Sequence, residues 1–453
     1  MGNILTSILA TSASMRAFGQ GLNVTQTNVT NASTPGYVKQ TQVFESDTFE
    51  LSRGLPGGVK AGKLLSSRNE YAELAVRRNQ QDVGAANQRS TDLAMMEPIF
   101  SLQQGSGVPG ALSNFFQSFN QLSVTPNSNP SRQAVLDSAN ELANSFNQTA
   151  TQLQQAGAAA DHSIRGTVDT VNSLLTTLQT LNGNVRQKYE LATDPTFDAK
   201  VHNTLEQLSE YVDFTAIPQA DGTNEILIGG QTTALIGDHL YPLQTDVSNL
   251  GASVLDSQGN DISSQLTSGR LAGLLTTRNK SIPSYLDSLN SLASSLADKV
   301  NETLANGVDA NGNAPSQNLF QYDSSIGAAQ TLKVNSLVPS DLAAALSDAP
   351  GGNGNALVLT QLANTRDANG YTYTQAYANI GAALGRELST AKGDATTNQA
   401  LLDQARSFRS DESGVSLDDE AATLIAFQRS YQASAKLVSV LNELTQTLLG
   451  ILQ

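Results

Sequence analysis

The two ends of this chain carry the same repeating pattern, and that pattern limits what the middle can become. Ile4, Ile8, Thr11, Met15, Phe18, Leu22, Thr25, Val29 and Ala32 are spaced alternately by four and three. At the other end Leu424, Phe427, Tyr431, Ser434, Val438, Leu441, Thr445, Leu448 and Leu452 do the same. Each series is a heptad seam on a helix of roughly 45–55 Å at about 1.5 Å per residue. The second helix has a marked start. Ser416 is a good N-cap with Asp419 as its capping-box partner, and Asp418, Asp419 and Glu420 favour the positive end of the helix dipole. Seams at both extremes are expected to meet each other and neighbouring molecules; two ordinary amphipathic helices of a globular core are the alternative.

The first helix is weak alone. Its remaining positions are rich in Ser, Thr and Asn, and Gly19 and Gly21 each cost about 1 kcal/mol relative to Ala. Nothing offsets the nucleation cost, so residues 4–32 are expected to be frayed in the free monomer and to order on meeting partners.

Between the ends the pattern changes twice. Asn31, Ala32, Ser33, Thr34, Pro35, Gly36 and Tyr37 stop the first helix, because Pro35 cannot extend it and Gly36 allows a positive φ. Extended chain follows, with turns expected at Gly54 and at Gly57-Gly58. Helices are expected over Tyr71–Phe100, from Asn129-Pro130 onward with kinks at Gly157 and Gly166, and over Phe197–Val212. Short apolar runs from Phe214 to Leu255, separated by glycine turns, read as one small antiparallel sheet. Helical spacing returns at Ile282–Val300 and Leu384–Ala405, and a short helix is expected near Asp341–Leu346. The fold class is therefore mainly α with an inserted β-rich region: an elongated helical stem, long coiled-coil-like helices from both termini, and a small antiparallel β domain. Its parts are 1–32 with 416–453 as a terminal coiled coil; 33–212 with 270–306 and 372–415 as a helical bundle stem carrying a hairpin-like segment near 37–70; and 213–269 with 307–371 as a β-rich outer domain.

Chemical motifs are scarce. Gly57 to Lys63 matches most of a phosphate-binding loop, but Leu64 stands where the magnesium-holding hydroxyl belongs. Gly105 to Gly110 fits a dinucleotide fingerprint only formally; it follows a helix, and Pro109 removes an amide, so it reads as a helix–helix linker. Asp309 to Asn313 begins like a calcium loop and then places Ala314 and Phe320 where Gly and an acid are needed, leaving weak surface calcium binding open beside an Asx-rich turn. His162, His202 and His239 share no ligand spacing and are taken as exposed or locally satisfied. A formal charge of -15 argues against nucleic acid, and no stretch of eighteen apolar residues offers a membrane span. With no Cys there are no disulfides or thiolate sites, and the first residues do not form a cleaved secretory signal. No catalytic set, cofactor or metal site is expected, and the chain reads as no enzyme.

The ends resemble a known family, the axial proteins of the bacterial flagellum. The residues that carry this are Leu22-Asn23-Val24-Thr25, Asn28, Asn31-Ala32 and Thr34-Pro35-Gly36-Tyr37 near the start. Near the finish they are Ser413 to Asp418, Glu420-Ala421-Ala422, Leu424-Ile425, Phe427-Gln428, Tyr431 to Lys436 and Leu448-Leu449. In the middle, Leu112, Phe115-Phe116, Arg132 to Leu136, Ala143 to Asn147, Gly229-Gly230-Gln231, Gly273-Leu274-Leu275 and Leu296 to Asn301 resemble the hook-associated proteins of the hook–filament junction. That resemblance implies a structural adaptor outside the cell at the hook tip, exported from the cytoplasm by the flagellar type III route with its N-terminus intact. It implies a ring of copies of itself, contacts with the hook protein and with a second junction protein of the hook-associated protein 3 type, and a cytoplasmic export chaperone. Ile4, Ile8, Met15, Phe18, Leu22 and Val29, with Leu424, Phe427, Tyr431, Val438, Leu441, Leu448 and Leu452, would form helix and subunit interfaces. Asn31, Pro35, Gly36 and Tyr37 would form the motif turn, and Leu424, Tyr431, Val438, Leu441 and Leu448 the chaperone-binding stripe. A hook or distal-rod protein shares both ends, and an enzyme or adhesin carried in residues 213–371 is the reading of another class.

Overall fold

A computed structural model describes residues 2–50, 55–100, 105–248 and 251–451. The elements expected at the ends are present: α1 spans Gly2–Asn31. The hairpin is formed by β1 (Gln40–Glu50) and β2 (Leu55–Ser66), paired antiparallel from Gln40↔Ser66 to Glu50↔Leu55 with an irregularity between Gln42 and Phe44. Gly57 and Gly58 are not its turn. They lie inside β2 with positive φ, where Gly58 lets the strand approach Ser14 of α1; an added Cβ would sit 3.2 Å from the Ser14 hydroxyl. Gly54, the other expected turn, lies outside the described residues.

Helices α2 (Glu70–Met96), α3 (Gly107–Val124), α4 (Asn129–Gln187) and α5 (Pro195–Tyr211) follow. Asn69 starts α2 by accepting from the backbone N–H groups of Tyr71 and Ala72, and Asp194 starts α5 by accepting from Thr196 and Phe197. The glycines expected to kink α4 do not interrupt it: the helix runs 59 residues through Gly157 and Gly166. Gly107 to Gly110, read as linker, already belong to the first turn of α3.

The β-rich stretch is not one sheet. Strands β3 (Phe214–Pro218), β4 (Asn224–Ile228), β5 (Thr232–Ile236) and β6 (His239–Leu240) form a four-stranded antiparallel meander. Strands β7 (Gln244–Ser248) and β8 (Gly251–Leu255) form a separate hairpin. Then come α6 (Gly269–Thr276), a π-helical turn over Thr277–Ser281, α7 (Ile282–Ala305), the short α8 (Ala328–Thr331), α9 (Gly354–Gln361), α10 (Tyr373–Ser413) and α11 (Leu417–Ile451). The helix expected near Asp341–Leu346 is instead a 3-10 turn at Pro339–Asp341 and a two-residue strand, with α9 beyond it. The loop expected from Arg409 shrinks to Gly414, Val415 and Ser416.

The chain divides into two compact units. One comprises residues 1–83, 171–242 and 398–453; the other comprises 84–170 and 243–397. In the second unit, Phe115, Phe119 and Phe320 cluster with Leu142, Phe146, Leu289, Leu296, Tyr373 and Tyr377 in a single core. Residues 307–371 therefore supply core side chains to a helical body, while β3–β6 belong to the first unit. The stretches grouped by turn-rich composition as an outer domain do not form one body, because Leu319, Phe320, Leu332 and Leu359 are apolar enough to bury against α3, α4 and α7. Arg132, almost wholly buried, fastens this segment: its guanidinium donates to the carbonyls of Pro126, Pro339 and Leu342. In the first unit, the C-terminal part of α4 meets the meander through Asn182. Its amide donates to the carbonyls of Asn224 and Gly237 and accepts from the Asn224 N–H.

Candidate functional site

The residues that carry the terminal motifs converge at the root of α1 and α11, within the first unit. Helix α1 packs on α11 and on both strands of the hairpin. With two neighbours to serve, its innermost line is made of small and polar residues. Ser14, Ala17, Gly21, Thr25 and Asn28 are the buried positions of α1, at spacings of three and four. The Ser14 hydroxyl accepts from the Val59 N–H at 2.9 Å. Gly21 is needed for closeness, since a Cβ there would lie 2.9 Å from the Phe44 ring and 3.0 Å from the Phe427 ring. Phe44 of β1 sits between Phe18 and Phe427, with ring centroids 5.8 and 5.2 Å away.

Below these rings lies a closed polar lock. Asn28 is 1% exposed and Glu420 2%. The Asn28 amide nitrogen donates to the Gln40 carbonyl at 2.8 Å and to Glu420 Oε2 at 3.0 Å. Its oxygen accepts from the Tyr37 hydroxyl at 2.9 Å and from the Gln40 N–H at 3.0 Å. Lys39 Nζ reaches Glu420 Oε1 at 3.1 Å. One asparagine thus uses its donors and its acceptor to join α1, β1 and the first turn of α11. Burial, and then the Glu420 charge, push the Tyr37 hydroxyl up to about 12, so it stays a donor at physiological pH.

The motif turn rests on a second, ionic layer. Thr34 N–H donates to the Asn31 carbonyl at 2.8 Å, and Tyr37 N–H to that of Thr34 at 3.1 Å. Gly36 has φ +77°, and a Cβ there would come within 3.1 Å of Asn203 in α5. Its carbonyl accepts from Arg68 Nη2 at 2.7 Å. Arg68 also grips Asp198 (Nη2 to Oδ2, 2.6 Å) and pairs with Glu73. Glu73 and Glu206 share Arg409 of α10 at 3.2 and 2.6 Å, and Arg406 joins Glu206 at 2.9 Å. Burial raises the Asp198 carboxyl, with Arg68 pulling the other way. Burial acts upward on Glu206 too, but the bonds from Arg409 and Arg406 outweigh it and hold that carboxyl low. His202, expected to be exposed or satisfied locally, has its Nε2 3.5 Å from Asp198 Oδ1 one turn away, while its buried Nδ1 has no partner among the described residues. Burial first, then Arg68, Arg77 and Arg409, push it down to about 2, so the ring is neutral. Finally, Ser413 closes the root: its carbonyl accepts from Lys39 N–H at 2.9 Å, and its hydroxyl from Asn69 N–H at 3.1 Å.

Measured against expectation, the α11 seam is the half-buried side. Leu424, Phe427, Val438 and Leu441 are partly covered, while Tyr431 and Leu448 fall just on the exposed side. Leu452 lies outside the described residues. On α1, Ile4, Ile8, Met15, Phe18 and Leu22 are partly covered, flanking the buried line rather than forming it. Val29 is 41% exposed in the single chain; beyond Thr25 the position covered within it is Asn28, one residue earlier. Sequence reasoning gave no role in the site to Lys39, Arg68, Glu73, Asp198, Glu206 or Arg409. Asn28 and Glu420 stood in the motifs without a role; the available signal was a polar residue on the inner line of an amphipathic helix. Among the described residues no group of His, Cys, Asp and Glu could hold a metal ion. Asp309 closes an Asx turn with the N–H groups of Asn311 and Asn313. The site joins chain segments; it presents no nucleophile with a base.

Comparison with known proteins gives the arrangement its family. A family model described as the helical domain of flagellar hook-associated protein FlgK matches residues 93–320, just over half of the chain. The chain belongs to the FlgK family. A second model, for the C-terminal region of flagellar basal body rod FlgEFG proteins, matches residues 409–451. Flagellar hook-associated protein 1 of Bacillus subtilis is 27% identical, with 93% of each chain covered. That of Salmonella typhimurium is 22% identical, covering 96% of this chain and 98% of the relative. The solved structure of the flagellar hook junction protein FlgK from Burkholderia pseudomallei matches with a TM-score of 0.67 at 15% identity, over 74% of this chain and 99% of that one; it shares the fold. As a FlgK-type chain this is a structural protein of the flagellum, not an enzyme, and among its described residues no helix is long and apolar enough to cross a membrane.

Proposed function

We propose that this chain is the adaptor that joins hook to filament, assembling at the hook tip as a ring of its own copies. It would contact the hook protein on one side and a second junction protein, of the hook-associated protein 3 type, on the other. The observation that carries this reading is the outer surface of the terminal helices. Besides the side that meets α1, α11 exposes Ile425, Leu437, Val440, Leu444, Leu449 and Ile451, and α1 exposes Leu5 and Leu9. Full burial of one such side chain is worth about 1.5–3 kcal/mol, so these helices gain most by entering a polymer. Residues 1–32 with 416–453 are accordingly the assembling module, whose exposed apolar faces neighbouring copies would cover. Export from the cytoplasm precedes this, with a chaperone holding α11 through its apolar stripe in a helix-in-groove mode, by Leu424, Tyr431, Val438, Leu441 and Leu448.

A strain lacking the gene should make hooks without filaments in electron micrographs, and the native gene should restore filaments. Val440→Asp, on the exposed stripe, should be exported and fail to restore them; Leu441→Asp, on the partly covered seam, should fail as well. Normal filaments with both variants would overturn the reading. Chaperone binding that survives truncation after Glu412 would remove α11 as the capture site.

A further inference from the structure

Five Asn-Gly dipeptides occur in this chain, at Asn182, Asn306, Asn311, Asn353 and Asn369. An Asn-Gly peptide can rearrange by itself when the glycine nitrogen reaches the asparagine side-chain carbonyl. That requires a side-chain amide free to turn and a glycine N–H free to attack. The fold removes one condition or the other at four of the five. Asn182 is buried inside α4 with its amide committed to Asn224 and Gly237. Gly307, after Asn306, is buried in a strand paired with Leu346. Gly312, after Asn311, donates its N–H to the Asp309 carbonyl. The Asn353 amide donates to the Ser123 carbonyl at 2.7 Å.

Asn369 differs in every respect. It is exposed, as is Gly370, and among the described residues neither its amide nor the Gly370 N–H has a partner. It is also the one described non-glycine residue with positive φ, +52°, a conformation that only glycine and, less often, Asn or Asp adopt. The turn is closed only by the two bonds between Ala368 and Tyr371, at 3.2 and 3.0 Å, so it opens locally at little cost.

We infer that Asn369-Gly370 is a site of spontaneous deamidation in the folded protein. The Gly370 nitrogen bonds to Asn369 Cγ, the Cγ–Nδ2 bond breaks, and the proton lost from Gly370 leaves with ammonia. Water then opens the cyclic imide at either carbonyl, yielding aspartate or, with the backbone rerouted through the side chain, isoaspartate. Either product adds a negative charge near Asp367. Isoaspartate also lengthens the backbone beside Tyr371, loosening the turn from which α10 starts.

The test is a time course of the purified full-length chain at mildly alkaline pH, native and in urea, digested and read by mass spectrometry with fragmentation that separates aspartate from isoaspartate. In urea the five sites should convert at comparable rates. In the native protein Asn369 should convert about tenfold or more faster than any other, since elsewhere a bonded amide or N–H must first be freed from its hydrogen bond, helix or core. Asn369→Gln should abolish the dominant native acidic isoform in isoelectric focusing. A native protein in which Asn311 or Asn353 keeps pace with Asn369, or in which Asn369 stays intact, overturns the inference.

Discussion

Replacing Asn28 with Asp changes one nitrogen to oxygen and leaves shape and packing as they are. The Tyr37 hydroxyl and Gln40 N–H keep an acceptor. The two donations, to the Gln40 carbonyl at 2.8 Å and to Glu420 Oε2 at 3.0 Å, become contacts between oxygens. Two carboxylates this close and this buried cannot both ionise, so the folded lock must hold a proton that the unfolded chain has shed. With an unfolded carboxyl near 3.9, holding that proton at pH 7 costs up to about 4 kcal/mol, at 1.36 kcal/mol per pH unit. The sign follows from the raised folded-state value: the penalty is largest at neutral pH and disappears as pH falls towards 4. Because the chain has two compact units, a global melt would blur this effect. Amide exchange at Gln40 and over the first turn of α11 reads it locally. Asn28→Asp should exchange far faster than the native chain at pH 7 and approach it near pH 4.5, after correction for the intrinsic pH dependence of exchange. Asn28→Ala should be weakened similarly at both. Native-like protection of Asn28→Asp at pH 7 would mean that the lock does not hold the terminal helices.

Three further outcomes are expected. Gly21→Leu should loosen α1 despite its better helix propensity, costing about 1–3 kcal/mol by overpacking against Phe44 and Phe427, seen as faster limited proteolysis of α1. Arg132→Met should destabilise the second unit by about 2–5 kcal/mol in urea melts followed through Tyr373 and Tyr377, because the carbonyls of Pro126, Pro339 and Leu342 lose their donor. For His202 the folded value is depressed to about 2, so its contribution is complete above 6.5 and declines as pH falls below it, by about 2 kcal/mol at pH 5. His202→Gln should flatten that part of the pH–stability curve measured on the first unit.

Much of the fold was legible because it is periodic or punctuated. The terminal seams, the Pro35-Gly36 stop and the short strands after Phe214 all rest on short-range chemistry that a window of residues contains. Errors arose where a residue answers to something distant. Gly57 and Gly58 look like a turn until Ser14 is seen against the strand, and Gly157 looks like a break until α4 continues unbroken through it.

The site divides along the same line. From the sequence alone come the amphipathic ends, the side of α11 turned towards its partner, and the motif turn, since spacing and backbone preference determine them. The lock itself, Asn28 on Glu420 across 392 positions of chain and Arg68 on Gly36 and Asp198, was decided only by the tertiary structure. A hydrogen bond or ion pair has no periodicity; each half is an ordinary polar residue until the fold removes the water around both.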